Sequence, residues 1–160
     1  MPVASNVMRL EIELFVTFSK MDIAKSQLDT AIALYLGGSD LVSAITLAGA
    51  ADEILGKSVR GLGGKSALDE TVERLCGMYE TAFNETPDPK KFVELRNRAR
   101  NEFKHVGVIP DISVDLEREA VSMLRRAIEN YRKLDSGFRE KFREFEQEML
   151  RRDSERRGRA

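Results

Sequence analysis

DLVSAITLAGAADEILGKS, residues 40–58, decides the fold of this chain. Leu41, Ala44, Ile45, Ala48, Ala51 and Leu55 recur there at spacings of three and four, the period of one helix face. The Ala44–Ala51 part of that face is built from small residues, with Gly49 among them. Small side chains let a neighbouring helix come close, so this stretch is expected to be the innermost helix of a helical protein. Gly49 costs about 1 kcal/mol of helix propensity against Ala, and close packing is the expected return.

Upstream, Leu10, Leu14, Phe18, Met21, Leu28, Ile32 and Tyr35 share one stripe and predict a long first helix over about 7–36. Gly37-Gly38 stops it, and Ser39 or Asp40 caps the next helix. Downstream, RGLGGKS (60–66) reads as a glycine-rich loop, and Ser66 caps a third helix over about 67–83. Its inward stripe is Leu68, Val72, Leu75, Cys76, Tyr79 and Phe83. Pro89 opens a fourth helix over about 89–105. A fifth, about 115–134, places Leu116, Ala120, Met123, Leu124, Ala127, Ile128 and Tyr131 inward. A last helix from about 137 carries Phe138, Phe142, Phe145, Met149 and Leu150, and frays into RRDSERRGRA. No stretch alternates apolar and polar residues long enough for a strand. The expected fold is all-α, an antiparallel bundle of five to six helices. It forms a single domain over 1–150 with an Arg-rich flexible tail over 151–160.

Composition narrows the function classes. The chain has 160 residues, 26 Lys plus Arg against 27 Asp plus Glu, one Cys and one His. That balance gives no global basic field. One Cys and one His rule out a disulfide framework and a tetrahedral Cys/His zinc site within one chain. No metal and no cofactor are expected. No segment reads as a targeting signal or a bilayer span, and the cytoplasm, which suits the lone thiol Cys76, is the expected compartment. GKS occurs at 56–58 and 64–66, but a phosphate-cradling loop needs a Gly five residues earlier, where Ala51 and Val59 stand. Asp52-Glu53 reads as a solvated helix face.

The fourth helix, KKFVELRNRARNEFKHV (90–106), is different. On a helical wheel Phe92, Leu95, Ala99, Phe103 and Val106 face the core, while Arg96, Asn97, Arg98, Arg100, Asn101, Lys104 and His105 face away. Glu94–Arg98–Glu102 is an ordinary mixed-charge ladder. Arg96, Arg100 and Lys104 instead repeat like charges every four residues, each such pair costing a few tenths of a kcal/mol in an isolated helix. Asn97, Asn101 and His105 form a second row beside them. Such a ridge suits a phosphodiester. Arg holds a phosphate through two bonds, and a His titrating near neutrality moves the proton of a ribose hydroxyl. The plain alternative is a basic helix face with His105 placed favourably near the C-terminus.

Arg100-Asn101-Glu102-Phe103-Lys104-His105 resembles the R-[polar]-x3-H signature of the HEPN superfamily (higher eukaryotes and prokaryotes nucleotide-binding domains). The wider stretches AITLAGAADEILG and RNEFKH resemble short stand-alone bacterial HEPN-like proteins, over about residues 8–134. The resemblance implies a metal-independent endoribonuclease of toxin or phage-defence type. In it the ribose 2′-hydroxyl attacks its own phosphate and leaves a 2′,3′-cyclic phosphate. Carried over, His105 is the general acid or base, Arg100 holds the phosphate and Asn101 orients one of them. Arg96, Asn97 and Lys104 then bind substrate along the same ridge. Asp52 or Glu53 is a candidate carboxylate. The resemblance further implies a homodimer with a composite site, RNA as substrate, and an antitoxin or nucleotidyltransferase partner. Many HEPN-like proteins are non-catalytic, so a helical dimer that binds a protein or nucleotide stands as the alternative. An adaptor with an accidental motif is the least specific reading.

Overall fold

The computed structural model describes residues 16–104, 111–137 and 139–158. They form α1 (Lys20–Gly37), α2 (Leu41–Gly61), α3 (Ala67–Phe83), α4 (Pro89–Lys104), α5 (Leu116–Leu134) and α6 (Glu140–Arg157), with no strand among the described residues.

Local capping sets where the first helices begin. Ser19 Oγ accepts the Asp22 N–H at 3.0 Å and donates to the Asp22 carboxylate at 2.6 Å. That cap starts α1 at Lys20, and residues 16–19 are not helical, so the single helix predicted over about 7–36 is interrupted there; its part over 7–15 lies outside the described residues. Phe18 lies outside the helix and is exposed, while Leu10 and Leu14 lie outside the described residues. Gly38 closes α1 in the left-handed region (φ 61°), and the Asp40 side chain accepts the Ser43 N–H at 2.9 Å to open α2. Helix α2 packs against α1 on one side and α5 on another, the innermost place its small residues suggest. The core joins Leu28, Ile32 and Tyr35 of α1 to Ile45 and Leu55 of α2, Met123 and Leu124 of α5, and Phe142 and Phe145 of α6. Each such side chain stabilises the fold by about 1.5–3 kcal/mol on burial.

Helix α3 starts on a reciprocal cap, with the Ser66 side chain bonded to the Asp69 N–H and the Asp69 carboxylate to the Ser66 N–H. Its expected stripe is only partly inward: Val72 is buried, Cys76 is half-buried, and Phe83 is exposed. The last turn of α3 reaches beyond the core, and Phe83 rests on Tyr79 with ring centroids 4.7 Å apart.

The tail expected from residue 151 is helical through Arg157. Arg152 explains the extension. Its guanidinium lies 5.0 Å over the Tyr35 ring, donates to Tyr35 Oη at 2.8 Å and pairs with Glu117. Tyr35 Oη in turn donates to Glu117 Oε1 at 2.6 Å. Burial, then the Glu117 carboxylate, push the Tyr35 hydroxyl well above its ordinary pKa and keep it a donor. Of the apolar residues the last helix carries, Phe142, Phe145 and Met149 are buried, Leu150 is exposed, and Phe138 lies outside the described residues. Among the described residues no helix is long and apolar enough to cross a membrane.

Arg152→Ala removes the stacking and the ion pair together, about 1–2 kcal/mol. The thermal midpoint should fall by about 2–8 °C for a domain of this size. Scanning calorimetry of the variant against Asp153→Ala, an exposed neighbour, checks this. Equal midpoints would contradict a packed C-terminal helix.

Candidate functional site

Helix α4 docks on its polar side. Asn97 is 7% exposed and Ala99 4%, whereas Leu95, expected in the core, is 61% exposed. Phe92 and Phe103 are half-buried, and Val106 lies outside the described residues. The inward face is thus rotated toward Arg96, Asn97 and Arg100. The cause sits on the neighbouring helices. Asp52 of α2 and Arg126 and Asn130 of α5 are all buried, and they offer polar partners where an apolar face would find none.

Arg126 is the hub of these contacts. Its Nη2 pairs with Asp52 Oδ2 and donates to Asn97 Oδ1 at 2.9 Å. Its Nη1 donates to the backbone carbonyl of Arg96 at 3.2 Å. Asn130 Nδ2 donates to the other Asp52 oxygen at 2.9 Å, and Asn130 Oδ1 accepts the Ala67 N–H at 2.8 Å. One guanidinium thereby ties α2, α4 and α5, and Asn130 adds the start of α3. Asp52 is therefore no solvated face residue: its side chain is 5% exposed and fully occupied. Burying both charges is tolerable because the pair and its hydrogen bonds are complete on the carboxylate side.

Arg100 lies one turn along α4 from this hub. Its aliphatic stem rests on Gly49, where an added Cβ would stand 2.4 Å from Arg100 Cδ and 2.7 Å from Cγ. The missing side chain in α2 is a slot for Arg100. Its Nη1 donates to the Gly49 carbonyl at 3.4 Å and lies 3.7 Å from Glu53 Oε2. Its Nε and Nη2 both donate to Asn101 Oδ1, at 3.3 Å and 3.2 Å. Glu53 is half-exposed. A hydrogen bond from Lys57 first, then the charges of Lys57, Arg100 and Lys104, hold its carboxyl below the usual range.

The structure therefore brings Arg100 and Asn101 together and adds Glu53. It separates Arg96 and Asn97 from them: Asn97 belongs to the buried hub, and Arg96 points to Ser122 of α5 through Nη2. Lys104 and Asn101 are exposed at the end of α4, and His105, the next residue, lies outside the described residues. A polar cleft of about 280 Å³ opens between α2, α3, α4 and α5. Asp52, Asn97 and Arg126 line it deep inside, and Lys57, Arg60 and Arg100 line it nearer the surface. Sequence reasoning missed Arg126 and Asn130. Their signal was present: two polar residues four apart within the otherwise apolar face of α5.

Gly49→Ala should displace the Arg100 side chain, since the neighbouring methylenes must give way. The gain in helix propensity, about 1 kcal/mol, offsets much of the lost packing. The Arg100 Nε–H resonance should therefore move in a nitrogen–proton correlation spectrum while the unfolding midpoint changes little. An unmoved Arg100 resonance would contradict the slot.

Comparison with protein-family models, curated proteins and solved structures gives no match to this chain.

Proposed function

We propose that the chain is a HEPN-like, metal-independent endoribonuclease acting in the cytoplasm, with its site at the C-terminal end of α4. The observation that supports this best is the arrangement of Arg100. Two of its nitrogens, Nε and Nη2, converge on one acceptor, the Asn101 amide oxygen. This two-donor edge is the one that a phosphate engages through parallel bonds. Asn101 is exposed, so a phosphate can exchange with its oxygen, while Gly49 keeps the stem of Arg100 in place.

In the proposed reaction the ribose 2′-oxygen forms a bond to phosphorus and the bond to the 5′-oxygen breaks. A base takes the 2′-proton, an acid returns a proton to the departing 5′-oxygen, and Arg100 stabilises the extra charge between. Each chain has one His. Two copies pairing at the ends of α4 would supply one imidazole for each role, so the reading includes a homodimer. An antitoxin or nucleotidyltransferase would be the protein partner that restrains it.

A second reading is favoured by a specific observation. Asn97, expected to bind substrate, is committed to Arg126, and Arg96 to Ser122, so much of the basic ridge serves the fold. In that reading the chain is a non-catalytic HEPN-like dimer that binds a protein or nucleotide.

Purified protein incubated with mixed RNA in EDTA should yield fragments with 2′,3′-cyclic phosphate ends. Arg100→Ala and His105→Ala should each lower the rate by about 100-fold or more. Cleavage that persists in both variants, or none by the wild type across varied RNAs, would favour the second reading. Light scattering giving a one-chain mass at micromolar concentration would contradict a composite site.

A further inference from the structure

Arg126 lines a second cleft, of about 300 Å³, bounded by α3, α4 and α5. Three more arginines line it: Arg96 of α4, and Arg118 and Arg125 of α5. Arg118, Ser122 and Arg125 are spaced by four and three, which puts them on one face of α5. Arg96 enters from α4 and donates Nη2 to the Ser122 hydroxyl.

These arginines differ from Arg126. The charge of Arg126 is neutralised by Asp52. Among the described residues no carboxylate lies within ion-pair distance of Arg96, Arg118 or Arg125, and Arg96 Nε has no hydrogen-bond partner. Burial, then the charge of Arg126, press the Arg96 pKa down; Glu119 opposes them, and Arg118 adds a smaller push downward. The carboxylate at the cleft edge, Glu129, lies 3.7 Å from Lys133, which also pairs with Glu70. A cluster of like charges in a partly desolvated cleft destabilises a fold, and a bound anion would relieve it.

We propose that Arg96, Arg118, Arg125 and Ser122 hold a backbone phosphate of a single RNA strand, apart from the reacting phosphate at Arg100. The proposal rests on the RNA reading above. A strand fits better than a free phosphate because the basic surface continues: Arg118 and Arg125 also line a neighbouring cleft with Arg152 and Arg156, which Asp115, Glu117 and Asp153 partly offset. Arg118 and Arg125 are exposed. Phosphate contacts of this kind set affinity and register and carry no sequence information.

The test reads binding, not cleavage. A short fluorescein-labelled single-stranded RNA is titrated with the His105→Ala chain, which should not cut it, and anisotropy is followed over a salt series. Adding Arg118→Ala and Arg125→Ala should weaken binding about tenfold at low salt. The slope of log affinity against log salt should fall by about one. Lysine at both positions should restore the slope, which a merely structural role for the arginines would not do. Equal affinity and slope with and without the alanines would overturn the site and leave cleavage at Arg100 standing. Loss of binding on the alanine changes, in a chain whose wild type never cuts RNA, would keep the site and remove the ribonuclease. Failure of the parent to bind RNA at all would overturn the site. So would millimolar inorganic phosphate raising the melting midpoint of the parent, but not of the alanine variant, with RNA affinity equal in both.

Discussion

Arg126 carries a full charge into the interior, and the rest of the molecule is arranged around that fact. Its side chain is 5% exposed, and so is that of its partner Asp52. Neither charge is tolerable there alone, since an unpaired buried ion costs several kcal/mol. The pair therefore fixes the approach of α2 and α5. Its Nη2 also reaches the Asn97 amide oxygen and its Nη1 the Arg96 carbonyl, so Arg126 also fixes the roll of α4 about its own axis. That roll turns Arg100 onto Gly49 and Arg96 onto Ser122, and leaves Leu95 outside.

The consequence is a division of labour along one helix. Asn97 belongs to the scaffold. Arg100 and Asn101, one turn further on, are held by it and remain near solvent. Arg96 lies between these roles, anchored at one nitrogen and unpaired with any carboxylate among the described residues. Near-zero net charge conceals this, because the acids that balance the sum are engaged elsewhere: Glu148 with Arg151 and Arg152, Asp29 with Arg139, Glu73 with Lys65.

Much of the fold was legible in the sequence, because apolar period and caps agree in most helices. The small-residue face of α2, the Ser66 cap and the inward residues of α5 emerged as the spacing suggests. The failures have physical causes. The predicted helix over about 7–36 is interrupted because a Ser19–Asp22 cap starts a helix at Lys20 and residues 16–19 before it are not helical. The C-terminal arginines stay helical because Arg152 finds an aromatic ring and a carboxylate far away in sequence. At the candidate site, Arg100 and Asn101 were legible, but the roll of α4 was not. A helical wheel assigns polar residues to solvent, and the preference reverses when a neighbouring helix buries a charge that needs partners. The polar pair Arg126 and Asn130 inside the apolar face of α5 was the clue in the sequence.

The most direct measurement is a double-mutant cycle on the buried pair, read by urea unfolding of Asp52→Ala, Arg126→Met and the double variant. The account predicts that each single change costs about 3–5 kcal/mol, because each strands the other charge. The double change should cost less than the sum of the two by more than about 2 kcal/mol. Additive losses, within about 0.5 kcal/mol, would contradict the account, since Arg126 and Asp52 would then not depend on each other.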